Sequence, residues 1–383
     1  MKILIVDHNA VDALSQSVYR WLAEAGDVHV RVIVPAFWHN NYQIVRGGAI
    51  KGSDRYAVVA LPVWFPRRTH RLVYSGLAGQ IREFQPDILY VNAEPENFQT
   101  LQCAFEKKLS EDSALVFSTW RNIDYTAAGS PYKFPFLHSF AERKVLRCAD
   151  HGIAFTREAL PIFSRLAFTQ MTYIPPEIDT TVFTPERGAR TRNRGEFTVG
   201  FAGRLTKLKG VDSLLEAASQ LPPPFKLLII GGGPESDTLR GQSSSLGLDS
   251  RLRWHDPVPR AEMPNLFAQM DVLVLPSRTG VHWKEQFGRV IIEAMACGIP
   301  VIGSNSGSIP EVVGSAGLIF PEGNARALRD AILSLRDDER LREQCRQRGL
   351  ARVASEYALP VVAPKYHLLL GSVAKSRVRS LDV

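Results

Sequence analysis

The stretch Lys284–Ser304, KEQFGRVIIEAMACGIPVIGS, sets two carboxylates eight positions apart: Glu285 ahead of an amphipathic segment and Glu293 inside it. The segment reads as a helix over Phe287–Cys297, with Gly288 in its first turn. Before it, DVLVLPS (Asp271–Ser277) is a continuous apolar run, the mark of a strand covered on both faces. After it, Pro300–Ile302 opens another strand. Strand, helix, strand in this order implies a parallel sheet, and ligands of such sheets bind beyond the carboxyl ends of the strands. The loop with Glu285 and the N-terminus of the helix therefore face a ligand, and the helix start favours phosphate. Taken alone, two glutamates at this spacing are common, and Glu293 would be a solvated helix residue paired with Arg289 one turn back.

About eighty residues upstream, VGFAGRLTKLKGVDSLLEA (Val199–Ala217) repeats the pattern. A strand ends at Gly203, Arg204 and Lys209 stand in the loop, and a helix follows over Val211–Gln220. A forked guanidinium and a point-charge ammonium together suit a diphosphate, although two surface bases on a loop would read the same. Gly231-Gly232-Gly233-Pro234 follows the strand KLLII. It either admits a ligand near the backbone or makes a tight connection with proline at the helix start. Neither G-x-G-x-x-G nor a P-loop occurs.

The alternation runs through the whole chain of 383 residues. Strands are expected at Lys2–Val6, His29–Val34, Asp87–Val91, Ala114–Ser118 and Gly152–Phe155, with helices over Ala10–Ala25, His70–Phe84 and Phe134–Cys148. In the second half they fall at Phe197–Ala202, Lys226–Ile230, Arg251–Trp254, Val272–Leu275, Pro300–Ile302 and Gly317–Phe320, with helices also at Glu235–Leu246 and Ala325–Leu335. The arginine- and glycine-rich segment 186–195 reads as a linker. The expected fold is α/β: two Rossmann-like, doubly wound domains facing a cleft, over residues 1–185 with 359–383 and over 196–358. The helical pattern Ala358–Val373 comes after the second sheet is complete and reads as a helix crossing back to the first domain.

A net charge of +7, spread over both halves, gives nucleic-acid binding little support but is compatible with an anionic membrane surface. The four cysteines are far apart, so neither a zinc site nor a disulfide framework is indicated. MKILIVDHNA reads as a buried strand rather than a signal peptide, and no apolar run is long enough to span a membrane. These features point to a cytoplasmic protein.

GRLTKLKGVDSLLEA, LLIIGGGPE, DVLVLPS, KEQFGRVIIEAMACGIPVIGS and SGSIPEVVG, in this order, resemble the C-terminal domain of family-4 retaining glycosyltransferases of the GT-B fold. The resemblance covers about 197–320 closely and the first half loosely. It implies that Arg204 and Lys209, with the Gly203 and Gly231 loops, bind the donor diphosphate. Glu285 would bind hydroxyls of the transferred sugar, assisted by Phe287, Gly288, Arg289 and Val290. Glu293 would bind the ribose, and the loop His255–Pro259, with Val258, would pack on the base. Catalytic roles would fall to Arg204, Lys209 and Glu285. The family needs no metal and no cofactor beyond the nucleotide sugar. The implied partners are a nucleoside-diphosphate sugar and a glycan or lipid-linked acceptor.

Three departures stand on the acceptor side or at the hinge. The usual Gly-Gly after the first strand is Asp7-His8-Asn9-Ala10, the usual histidine is replaced in STWRNID by Asn122, and Pro176-Glu177 stand before Asp179. Asn9 and Asn122 are thus the acceptor-side candidates. Other readings are a GT-B epimerase or phosphorylase, and a two-domain sugar-binding protein. VWFPRRTHR places Trp64 and Phe65 beside Arg67, Arg68 and Arg71, which suits peripheral contact with a membrane's inner face. The alternative buries both rings at a strand end and leaves the arginines solvated.

Overall fold

The computed structural model describes residues 1–40, 43–51, 53–110, 112–125, 129–185 and 196–381. The proposed linker 186–195 lies outside them. Two compact units result: Met1–Glu177 with Leu359–Val383, and Ile178–Ala358. Residues 178–185, assigned on the sequence to the first domain, group with the second. Ile178 forms a parallel bridge with Ala358, and the buried Phe183 lies beneath the guanidinium of Arg260.

The second unit holds a six-stranded parallel sheet in the order Leu252–His255, Phe225–Ile230, Phe197–Ala202, Val272–Leu275, Val301–Ser304, Gly317–Phe320. Chain order along the sheet reverses between Phe197–Ala202 and Val272–Leu275, whose Val199 and Val272 are in register. Such a switch point leaves the loops that follow the two strands open to a ligand. All six strands match expected ones within a few residues. The helix after Val272–Leu275 begins at Arg289 rather than Phe287, because Gly288 takes a left-handed φ of 77° and caps it.

The first unit repeats the topology with one more parallel strand. Its sheet runs Met171–Tyr173, His151–Ala154, Ala114–Thr119, Ile88–Val91, Lys2–Val6, His29–Pro35, Tyr56–Leu61, with Ile50–Lys51 antiparallel at the edge. The switch point lies between Lys2–Val6 and Ile88–Val91. The helix expected over Ala10–Ala25 is two 3-10 turns followed by an α-helix at Ser17–Glu24. The reason is local: Asp7 and Asp12 accept from the N–H groups of Asn9 and Leu14, which draws the backbone away from helix. The helix expected over His70–Phe84 starts only at Leu77, after Gly76 in the left-handed region, and Val73–Tyr74 pairs instead with Val63–Trp64.

The last helix runs Leu359–Leu381. Val362, Ala363, Tyr366, Leu370 and Val373 recur at helical spacing and join the core that contains Ile3, Val30 and Tyr90. The chain thus returns to complete its first unit. Leu370→Ala should cost about 2–5 kcal/mol of unfolding free energy, read by urea denaturation. A cost below about 1 kcal/mol would show that this helix does not share the core.

Candidate functional site

In the second unit, close backbone packing sets the strand-end loops. A Cβ on Gly231, whose φ is 142°, would stand 1.9 Å from the carbonyl oxygen of Gly203. The loop after Phe225–Ile230 therefore lies directly against the loop after Phe197–Ala202, and the glycine there is required by packing alone. Gly210, at φ 66°, plays the same part against the neighbouring strand: a Cβ would meet the Pro276 carbonyl oxygen at 2.0 Å. That approach, held by the Arg278 N–H donating to the Leu208 carbonyl, carries the turn Lys207–Lys209 to the end of Val272–Leu275.

Two of the expected site residues consequently meet. Lys209 Nζ lies 2.6 Å from Glu285 Oε2, and Ser277 Oγ donates to the same oxygen at 2.6 Å. Glu285 is only 6% exposed, so its charge depends on these donors. Its carbonyl accepts from Ser308 N–H at 3.0 Å, and Gly307 packs against the same peptide. Lys209 also lies 5.0 Å from the ring centre of Trp283. The result is a carboxylate anchored at the strand ends beside an ammonium that remains partly exposed.

Glu293 sits in the helix Arg289–Ala296 and is as buried as Glu285. Its partner is Arg260, whose Nε donates to Glu293 Oε1 at 2.7 Å. Arg260 follows the strand Leu252–His255 and was missed on the sequence, where only the neighbour one turn away could be named. Arg204 is exposed directly after Gly203 at the switch point, and Val258 is half-buried before Arg260. Phe287 is buried edge-on to Tyr357. Arg289 and Val290 open the helix, half-exposed.

In the first unit, Asn9 is exposed and Asn122 is buried, next in sequence to a polar cluster at the strand ends that sequence reading overlooked. Glu94 accepts from Thr119 Oγ1 at 2.5 Å and from Trp120 N–H at 2.7 Å. Arg121 bridges Glu96, at 2.8 Å, and Glu142. Tyr132 donates to Glu96 Oε1 at 3.1 Å and stacks on His138. The acids Glu94 and Glu96 in NAEPENF, immediately after a strand, were the available signal. Burial raises the Glu94 carboxyl to about 7; the charge of Glu96 adds to this and Arg121 opposes it. Burial holds His70, beside Tyr132 and His138, down at about 4.

Residues 182–352 match the family model described as glycosyl transferases group 1. A GDP-mannose-dependent alpha-(1-6)-phosphatidylinositol monomannoside mannosyltransferase of Mycolicibacterium smegmatis is 34% identical over 44% of this chain and 48% of its own length. A D-inositol 3-phosphate glycosyltransferase of the same organism is 31% identical over 64% of this chain and 57% of its own. The chain spans about half the length of the curated relatives it matches. Among solved structures, sucrose-phosphate synthase from Thermosynechococcus elongatus superposes with a TM-score of 0.77 at 19% identity, covering 98% of this chain and 100% of that one. HepE of Anabaena, in complex with UDP and glucose, superposes at 0.73 and 19%, covering 97% and 100%. The fold is therefore GT-B, and most of the second unit, residues 182–352, is similar to the group 1 glycosyl transferases.

The Glu94 cluster makes a pH prediction. A carboxyl with a raised folded pKa binds its proton more tightly in the native state. Its contribution to stability is complete below the unfolded value near 4.5 and is lost as pH rises through about 7. Glu94→Gln should therefore gain stability relative to wild type between pH 5 and about pH 7.5. His70 titrates in both proteins and cancels in the difference. A pH-independent difference in denaturant midpoint across that window would rule the perturbation out.

Proposed function

We propose that this protein transfers a hexose from a nucleoside-diphosphate sugar to a hydroxyl acceptor, without a metal ion and with retained anomeric configuration. The observation that carries the reading is the Lys209–Glu285–Ser277 constellation at the strand ends. It sets an anchored acceptor of hydrogen bonds beside a cation, the pairing a sugar next to a diphosphate requires.

Lys209 and Arg204 meet the diphosphate, with the N–H groups at the start of helix Arg289–Ala296. Glu285, fixed by Ser277, accepts from the hydroxyls of the transferred sugar. Glu293 accepts from the ribose with the carboxylate oxygen that Arg260 leaves, so Arg260 orients the group that binds the nucleoside. GDP-mannose, the donor named for the relative, is the first candidate. The first unit holds the acceptor at its own strand ends, near Asn122. In the reaction the acceptor oxygen bonds to the anomeric carbon, the bond from that carbon to the diphosphate breaks, and the departing diphosphate oxygen takes the acceptor proton. Lys209 and Arg204 stabilise the charge that develops there. Asn122 is an amide and takes no proton; it orients the acceptor. The relatives' named substrates support a lipid-linked or inositol-containing acceptor, reached by peripheral contact with the cytoplasmic face of a membrane. Among the described residues no helix is long and apolar enough to cross one.

Three measurements test this reading. Glu293→Ala should weaken nucleoside diphosphate binding by about ten- to a hundredfold, the loss of a charged hydrogen bond of about 1.5–3 kcal/mol. Glu285→Ala should lower kcat more than nucleotide affinity. Turnover of a nucleotide sugar should continue in EDTA. Activity abolished by the chelator and restored by magnesium or manganese would refute the assignment of the diphosphate to Arg204 and Lys209.

A further inference from the structure

Large apolar side chains of the first unit stand in solvent on adjoining segments, and basic groups accompany them. Helix Pro135–Cys148 buries His138, Ala141 and Val145 and packs on helix Phe98–Glu106. Its other side exposes Phe136, Leu137 and Phe140, Phe136 to 66%. Arg143 and Arg147 extend that side at helical spacing from Phe136 and Phe140, and no acidic residue occupies an exposed position of the helix. Phe105, on the neighbouring helix, is also exposed, with Lys144 5.6 Å from its ring centre. At the start of the helix, Phe134 has Arg71 at 5.2 Å and Lys133 at 5.8 Å.

Arg71 closes the segment foreseen on the sequence. Trp64 and Phe65 are exposed there, 65% and 59%, together with Arg67 and Arg68, so the alternative of two core rings does not hold. Phe65 takes a φ of 58°, a conformation that is an outlier for a bulky residue and costs of order 1–3 kcal/mol. The ring it holds in this way stands in solvent.

Soluble monomers rarely leave large aromatic side chains clustered in solvent on neighbouring segments. Cores of protein interfaces favour aromatics but are depleted in lysine, whereas here Lys133 and Lys144 stand over exposed rings. Aromatic rings with interspersed bases and no exposed acid match a layer of lipid phosphates above an apolar interior. We propose that helix Pro135–Cys148, with Phe105 and the segment Trp64–Arg71, is a docking surface for an anionic lipid bilayer. The helix lies in the headgroup plane, its phenylalanines inserted and its arginines on the phosphates. This rests on the peripheral contact proposed above and names the main surface that makes it.

The test is cosedimentation of the full chain with vesicles of phosphatidylcholine, alone and mixed with phosphatidylglycerol. Wild type should sediment with the mixed vesicles, and added salt should release it. Phe136→Ser with Phe140→Ser should weaken binding at least tenfold, as should Arg143→Glu with Arg147→Glu. Both variants should keep the wild-type melting temperature and thermal shift with GDP-mannose. The charge variant decides the matter if the first fails to fold. Wild type left in the supernatant at low salt overturns the proposal, as does binding that survives both double substitutions. A wild-type dimer that Phe136→Ser with Phe140→Ser converts to monomer also overturns it, since the surface then joins two copies. Because sedimentation needs neither donor nor turnover, its failure leaves the transferase reading standing, and a failure of donor binding leaves the docking surface standing.

Discussion

The ion pair between Lys209 and Glu285 is the contact on which the proposed donor site depends. A carboxylate as buried as Glu285 is stable as an anion only with donors fixed around it. Ser277 and Lys209 are two of them, and they come from different strand-end loops. Bringing those loops together needs backbones closer than a Cβ allows, which is why Gly210 stands against Pro276 and Gly307 against Glu285 itself. The glycines therefore hold the Lys209–Glu285 pair together through backbone packing. They set the distance at which the Lys209 ammonium and the Ser277 hydroxyl donate to one oxygen of the Glu285 carboxylate.

The second unit was largely legible in the sequence for a physical reason. Its strands are covered on both faces, so DVLVL and KLLII stand out as unbroken apolar runs, and glycine punctuates the loops after them. Pairing across the site was not legible. Arg289 lay one turn from Glu293 and was the only partner periodicity could offer, yet burial of Glu293 selects Arg260 from another strand's loop. Lys209 and Glu285 were both named, but their direct contact depends on the left-handed turn at Gly210, which no local pattern specifies.

The first unit was less legible because its local chemistry competes with its periodicity. Asp7 and Asp12 divert a helical pattern into 3-10 turns, and the apolar run within Tyr56–Leu61 is a strand that the sequence reading did not name. Its polar cluster concentrates three glutamates around one arginine in a buried position, so not all of them ionise freely at neutral pH. The Trp120 N–H donates to Glu94 and the Arg121 guanidinium pairs with Glu96, so the cluster ties down the two residues before Asn122. A rigid amide beside a charge-tight wall suits orientation of a hydroxyl rather than proton transfer. In the proposed reaction the proton transfer falls to the donor's own diphosphate.

That division of labour makes the position of the diphosphate the central question. The most direct measurement is a crystal structure of the full chain with GDP bound. The account predicts phosphate oxygens within hydrogen-bond distance of Lys209 Nζ and the Arg204 guanidinium, with the ribose diol on Glu293. A diphosphate held elsewhere, with Lys209 still closed on Glu285, would contradict it.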